Sequence, residues 1–226
     1  MYPSIMLSSF TRSSMIRAAA LCSTLSVRPS AFSTDTTAPH LPAVASIDPL
    51  LAPPRATTRV FLEVGIGGKA AGQMVVELYG ELTPRLAENF RQLCTGETGI
   101  GYPGSSFYRV VSGLTIQGGD IDGGGAGRAA FGEPFTPDNY AISHTAEGLI
   151  SMATSGPGGS SRLADSRFVI SLGDAKYLDG RYAAFGRVVE GMDVVRAIEN
   201  VPVSGTRNAP TTKVLITGAG ELLARH

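Results

Sequence analysis

The sequence predicts a mainly β fold, a closed or nearly closed β-barrel that carries two helices. Short apolar stretches rich in β-branched and aromatic residues recur along the chain, and turn residues separate them. Two further segments have the apolar spacing of a helix. The 226 residues include 28 glycines and 14 prolines, which favours a turn-rich β fold over a helical bundle. Closing the sheet into a barrel would remove its exposed edges.

Composition argues against several classes of function. The formal net charge is zero, so bulk electrostatics indicate neither a nucleic-acid partner nor an anionic membrane surface. The two cysteines, Cys22 and Cys94, cannot form a disulfide framework. The three histidines occur without a CxxC or HExxH pattern, so no zinc site is indicated. We therefore expect no metal and no cofactor.

Residues 1–34 are typical of an organellar presequence. They contain Arg12, Arg17 and Arg28 among many serines and alanines, and they contain no acidic residue. Mitochondrial import is the first interpretation, and plastid import, a secretory signal and an ordinary disordered N-terminus are the alternatives. The longest apolar run, residues 18–22, is too short to span a bilayer, so we expect no membrane-spanning segment.

Residues 35–57 predict a linker, because their Thr, Pro and Ala content cannot bury a core. Residues 58–226 predict one domain, which begins with a hairpin. Apolar and polar residues alternate in the first strand, and Gly67-Gly68 turns the chain into a second strand that ends at Leu78.

A helix is predicted after this hairpin. Thr83 can serve as its N-cap, Pro84 suits the first helical position, and Gly96 ends the helix. Apolar residues recur at helical spacing at Leu86, Phe90, Leu93 and Cys94. Cys94 lies on this apolar face, so we predict a buried, inert thiol there.

The rest of the fold is organised around residues 107–120, which read FYRVVSGLTIQGGD. The pattern predicts a strand, a tight turn at Ser112-Gly113 and a returning strand through Ile116. Gly118-Gly119 would then let the backbone leave the strand. Arg109 is a cation within an apolar pattern, so it either forms a surface salt bridge or points at a ligand. Gln117 could supply an amide to the same ligand.

The remaining segments complete the predicted barrel. The glycine-rich residues 118–127 lack the spacing of a dinucleotide or calcium site, and we interpret them as a loop. A mobile loop is predicted at GPGGSSRLAD, residues 156–165. The later elements are strands at Leu149–Ala153, Phe168–Ser171, Ala183–Val189 and Val214–Ile216, and a second helix at Gly191–Asn200.

Three long motifs resemble the cyclophilins, the peptidyl-prolyl cis-trans isomerases that bind cyclosporin. They are LTPRLAENFRQLCTGETGIGYPGSSFYRVVSGLTIQGGD, HTAEGLISMATSGP and YLDGRYAAFGRVVEGMDVV, in the family's order. The resemblance covers about residues 58–222. It implies an eight-stranded antiparallel β-barrel capped by two α-helices. A shared fold is weaker evidence for a shared activity.

The resemblance also implies a mechanism without covalent chemistry. Rotation about an X-Pro bond has a barrier of about 18–20 kcal/mol, because the amide is conjugated. A cation that donates to the prolyl nitrogen favours the twisted, deconjugated state. Arg109 occupies the position of the family's catalytic arginine, and Gln117 that of the glutamine that holds the substrate backbone. Ala153 and Leu178 match positions that line the proline pocket.

Several pocket positions depart from the family pattern. Leu114 and Thr115 replace a phenylalanine and a methionine, and Val169 replaces a second phenylalanine. Tyr177 stands where a tryptophan supports cyclosporin binding, and Tyr182 replaces a histidine. Each well-buried aromatic contributes on the order of 1–3 kcal/mol of apolar contact, so we expect weakened proline binding and weak cyclosporin binding.

Two functions follow from this resemblance. The first is a prolyl isomerase that assists protein folding in an organelle and acts on proline-containing polypeptides. The second is a non-catalytic structural subunit of a mitochondrial assembly. The first predicts that Arg109, Gln117, Ala153 and Leu178 line an open groove. The second predicts that other subunits, the two tyrosines or the loop 158–165 block it.

Overall fold

A computed structural model of the chain describes residues 54–123, 127–153 and 162–223. The predicted presequence and nearly all of the predicted linker lie outside these residues. The first part of the loop 158–165 also lies outside them.

Eight strands close into a barrel in the order β1-β10-β3-β4-β6-β5-β7-β2, and β8 and β9 form a separate two-stranded sheet. All of the pairings are antiparallel. The predicted eight-stranded barrel is therefore confirmed. The strands are β1 (Thr58–Ile66), β2 (Lys69–Leu78), β3 (Ser106–Val111), β4 (Thr115–Asp120), β5 (Leu149–Met152), β6 (Phe168–Ser171), β7 (Ala183–Glu190), β8 (Val203–Ser204), β9 (Ala209–Pro210) and β10 (Val214–Leu222).

Two helices, α1 (Pro84–Thr95) and α2 (Met192–Glu199), confirm the two that were predicted. Gly96 ends α1 in the left-handed conformation, as a C-terminal glycine does. Cys94 is 1% exposed, and burial raises the pKa of its thiol well above the usual value. The predicted inert thiol is thus confirmed as a buried one.

The N-terminus of α1 is capped from a distance. The hydroxyl of Thr83 donates to the carbonyl of Tyr79 at 3.1 Å and caps no helix N–H group. The carboxylate of Asp138 instead accepts from the backbone N–H groups of Arg85 at 3.2 Å and Leu86 at 3.0 Å. The expected role of Thr83 as a side-chain cap is therefore wrong.

Aromatic rings fill the barrel under α1. The ring centroid of Phe90 lies 5.0 Å from that of Tyr102, 5.5 Å from Phe168 and 5.1 Å from Phe185. The four residues are each fully buried. These rings join α1 to β6 and β7, and so they hold the helix against one end of the barrel.

Gly118 and Gly119 lie inside β4, which continues to Asp120, so the chain does not leave the strand at Gly118. The expected conformation is present at Gly119, whose φ of 84° other residues rarely adopt. A Cβ atom on Gly118 would lie 2.8 Å from the ring of Phe107. A Cβ on Gly119 would lie 2.5 Å from the carbonyl oxygen of Ser166 and 2.8 Å from the ring of Phe168. The two glycines therefore let aromatic rings and a neighbouring backbone approach the strand closely.

Three short elements were not predicted. These are β8, β9 and a 3₁₀ turn at Lys176–Leu178, each of only two or three residues. Segments this short carry too little periodicity to be recognised in a sequence. Among the helices that the structure describes, none is long and apolar enough to cross a bilayer.

Candidate active site on the outer face of the barrel

A β-bulge turns Arg109 away from the core. Phe107 and Arg109 pair with adjacent residues of β4, so Tyr108 is an extra residue in β3. In a regular strand Phe107 and Arg109 would point to the same face. Because of the extra residue, Phe107 and Val110 are buried in the core whereas Arg109 is exposed.

Four residues form a row across four neighbouring strands. Arg109 lies opposite Gln117, Gln117 opposite Val169, and Val169 opposite Ser151. Directly opposite residues of antiparallel strands point to the same face and lie about 4.5–5.5 Å apart. We call these four residues the outer row. They face away from the core, because the residues that alternate with them, such as Ile116 and Ile170, belong to the core.

A second apolar cluster lies around Val169 of this row. Ala153, Val169, Ala175 and Leu178 are buried against one another, and Tyr182 packs on them. We call these five residues the outer cluster. It is separate from the main core and brings together four of the predicted pocket positions.

The other three predicted positions differ in their exposure. Thr115 is 3% exposed and lies opposite Ser171, so it offers little surface to a ligand. Leu114 follows the β3–β4 turn and is 42% exposed, and Tyr177 lies in the 3₁₀ turn and is 53% exposed. Both can contact a ligand, and neither belongs to the outer cluster.

The family model described as cyclophilin-type peptidyl-prolyl cis-trans isomerase/CLD matches residues 61–221 of the 226. The chain belongs to the cyclophilin family. The match spans the barrel from β1 to β10 and includes both helices and the outer row.

Arg109 and Arg167 of this cyclophilin have contrasting surroundings. Arg109 forms no ion pair with any residue in the described parts of the chain. Arg167, two residues before Val169, donates to the fully buried Asp165 carboxylate at 2.6 Å. Burial alone would lower the pKa of Arg167, and the hydrogen bond that it donates to Asp165 helps to raise the pKa above the usual value. Arg167 is therefore paired with a carboxylate, whereas Arg109 has no carboxylate partner among the described residues.

Tyr108 and Arg167 lie beside this site, and the sequence pattern did not indicate them. Burial raises the pKa of the Tyr108 phenol, and the nearby Arg167 guanidinium acts in the opposite direction. Tyr108 immediately precedes Arg109, and the backbone carbonyl of Arg167 accepts from Ala153 N–H at 2.9 Å. The available sequence signal was that each lies within two residues of a predicted site residue, Tyr108 next to Arg109 and Arg167 near Val169.

The site of this cyclophilin is built from cationic, amide and apolar groups. In the described ranges, no group of three or more His, Cys, Asp or Glu side chains is arranged to hold a metal ion. The arrangement can bind a peptide through guanidinium and amide donors and can place an apolar ring beside them.

Proposed function

We propose that this cyclophilin is a peptidyl-prolyl cis-trans isomerase that acts on proline-containing polypeptides. The observation that carries the proposal is the state of Arg109. Its side chain is exposed and forms no ion pair with a described residue, and it lies in register with Gln117, which in turn lies opposite Val169 of the outer cluster. A cation kept without a carboxylate partner is suited to a ligand that supplies the acceptor.

The mechanism follows from the order of groups along the outer row. The outer cluster receives the proline ring, and Gln117 bonds to the peptide backbone beside it. Arg109 then donates to the prolyl nitrogen, whose lone pair becomes available when the amide twists out of conjugation. Since this bond is strong only in the twisted state, it lowers part of the roughly 18–20 kcal/mol rotation barrier.

We further propose that proline binding is weakened. Ala153, Val169 and Leu178 are only 6%, 1% and 5% exposed. The cluster therefore offers a shallow apolar surface, and Val169 and Thr115 contribute no aromatic wall to it. Less apolar contact raises KM, while the twisting step still depends on Arg109.

Replacing Arg109 tests the proposed catalysis. The purified chain should accelerate exchange between the cis and trans forms of an Ala-Pro peptide, as measured by NMR exchange spectroscopy. In Arg109→Ala we expect kcat/KM to fall by about 10²- to 10³-fold, the usual loss for one transition-state donor. Arg59→Ala removes an exposed arginine that pairs with Glu77 on the other side of the barrel, and it should change kcat/KM less than twofold. Equal inactivity of the wild type and Arg109→Ala would exclude catalysis.

The second candidate function is a non-catalytic scaffold in a mitochondrial assembly. The near-complete burial of the outer cluster favours it, because little apolar surface remains for a proline ring. Gentle purification of the native protein distinguishes the two. A stoichiometric complex, together with no isomerisation by the isolated chain, would establish the scaffold.

We also propose that residues 1–34 direct the chain into mitochondria. The proposal rests on their arginines and on the lack of acidic residues. Radiolabelled chain should be imported into isolated mitochondria and become shorter and protease-resistant when the membrane potential is intact. Import by plastids or by microsomes in place of mitochondria would contradict the proposal.

A further inference from the structure

His144 is fully buried and uses both ring nitrogens. Its Nδ1 lies 2.7 Å from Asp179 Oδ1, and its Nε2 lies 2.6 Å from Ser151 Oγ. A carboxylate can only accept, so Nδ1 donates to Asp179, and Nε2 and the Ser151 hydroxyl share the second hydrogen bond. Burial raises the pKa of Asp179, but hydrogen bonds from Ser143 and His144 outweigh it and keep the pKa below its usual range.

A chain of Asp, His and Ser is the composition of a hydrolase nucleophile, but its burial excludes that role here. Ser151 is 1% exposed and His144 is 0% exposed. A substrate carbonyl therefore cannot reach the hydroxyl, whatever its hydrogen bonds.

The network instead connects two supports of the outer cluster. Ser151 is the last residue of the outer row and lies directly opposite Val169. Asp179 immediately follows Leu178 and accepts from the backbone N–H of His144 at 2.8 Å. The carbonyl of His144 also accepts from Ala175 N–H at 2.8 Å. His144 thus holds the 3₁₀ turn with Leu178 against the strands that carry Val169.

We propose that His144 is a positioning residue that sets the distance between Val169 and Leu178, and so the fit of the proline ring between them. The inference rests on the proposed binding of proline at the outer cluster. His144 touches no substrate, and it acts through the two side chains that it joins. Glutamine cannot reproduce its role, because one amide cannot reach both Asp179 and Ser151 with the geometry of the two ring nitrogens.

The test compares His144→Gln with Thr83→Val in the full chain. Thr83 is also fully buried and bonds to one carbonyl, but it lies at the start of α1, away from the outer cluster. We expect both variants to lower Tm. His144→Gln should also raise KM for an Ala-Pro peptide at least fivefold with kcat within twofold of wild type, whereas Thr83→Val should leave both unchanged.

Three results would overturn the inference. KM could be unchanged in His144→Gln, it could rise equally in Thr83→Val, or kcat could fall with KM unchanged. If His144→Gln does not fold, Asp179→Asn takes its place, because the Asp179 side chain is 36% exposed and its replacement is tolerated more readily. The same rise in KM is then expected.

A binding measurement separates this inference from the proposed catalysis. If the wild-type chain binds the peptide without isomerising it, the catalytic proposal fails, and the peptide Kd from an NMR titration replaces KM in the comparison. A Kd that is equal in wild type and His144→Gln would then reject the positioning role. A wild-type chain that binds no proline peptide rejects both.

Discussion

Arg109 and Arg167 both lie near the outer cluster, and their surroundings differ. Arg167 is held by a buried carboxylate, and Arg109 is turned outward by a bulge. Residue type alone does not distinguish them, and regular alternation would have assigned Arg109 to the same face as Phe107. The motif identified Arg109 as the candidate, but its exposure depends on an extra residue in β3 that alternation alone does not predict.

The Arg167–Asp165 pair predicts a large loss of stability. Asp165 is 0% exposed, so Arg167→Ala would leave a buried carboxylate without its cation. We expect the free energy of unfolding to fall by about 3–5 kcal/mol, measured by urea denaturation. Arg128→Ala, which breaks a half-exposed pair with Asp122, should cost less than about 1 kcal/mol. A similar loss in the free energy of unfolding for the two variants would show that the buried pair stabilises the fold no more than the exposed one.

Tyr177 predicts how the site responds to cyclosporin. Its side chain is exposed, so Tyr177→Trp should not disturb the fold. The larger indole face and its N–H donor should increase cyclosporin affinity by about 3- to 10-fold, measured by isothermal titration calorimetry. Tyr177→Phe keeps the ring size without a donor and should show no gain. Tight binding by the wild type would contradict the expected weak affinity.

At the scale of elements, α2 holds the hairpin that carries Arg109 and Gln117. The Glu199 carboxylate accepts from Gly113 N–H at 2.7 Å and from the Ser112 hydroxyl at 3.0 Å. Arg196 donates to the other oxygen of Glu199 at 2.7 Å and also bonds to Glu147. One helix end therefore fixes the β3–β4 turn.

This clamp predicts a pH dependence. The hydrogen bond from Arg196, with those from Gly113 and Ser112, holds the pKa of Glu199 below its ordinary value of 4.5. A carboxylate with a lowered pKa keeps its stabilising bonds above the ordinary value and loses them as pH falls through the folded-state pKa. As pH is lowered, the Gly113 amide proton should shift upfield with a midpoint below pH 4.5. Two-dimensional NMR measures this shift. Glu199→Gln should abolish this titration, and a midpoint above 4.5 would exclude the clamp.

Element positions were largely predictable, and their distant partners were not. Helix α1 has the start and end that Pro84 and Gly96 indicate, because these residues act within one turn. Its cap comes from Asp138, more than 50 positions away in the chain, and local spacing contains no information about such a contact. Likewise, Gly118 predicted a break in the strand because the ring of Phe107 that packs on it was unknown.

For the whole molecule, the closed barrel was predictable because eight apolar segments separated by turns leave few other ways to bury a sheet. The resemblance gave the expected site residues, and strands β3 and β4 place two of them, Arg109 and Gln117, opposite each other. The degree of burial of the outer cluster was not predictable, because it depends on how the 3₁₀ turn packs against β5 and β6.

The two apolar clusters predict separable effects of neighbouring substitutions. Phe168 points into the main core, where its ring contacts the three rings of Phe90, Tyr102 and Phe107, and Val169 points into the outer cluster. We expect Phe168→Ala to lower the free energy of unfolding by about 3–5 kcal/mol, measured by urea denaturation. Val169→Ala should cost less than half as much and should raise KM for an Ala-Pro peptide. Equal stability losses would show that the clusters are one unit.

Strand β6 thus lies between the main core, which keeps the protein folded, and the outer cluster, where we propose that peptides bind. A substitution in the outer cluster should therefore alter peptide affinity or specificity while the barrel stays folded. A library randomised at the outward positions of this one strand would accordingly yield mostly folded proteins with altered peptide preferences.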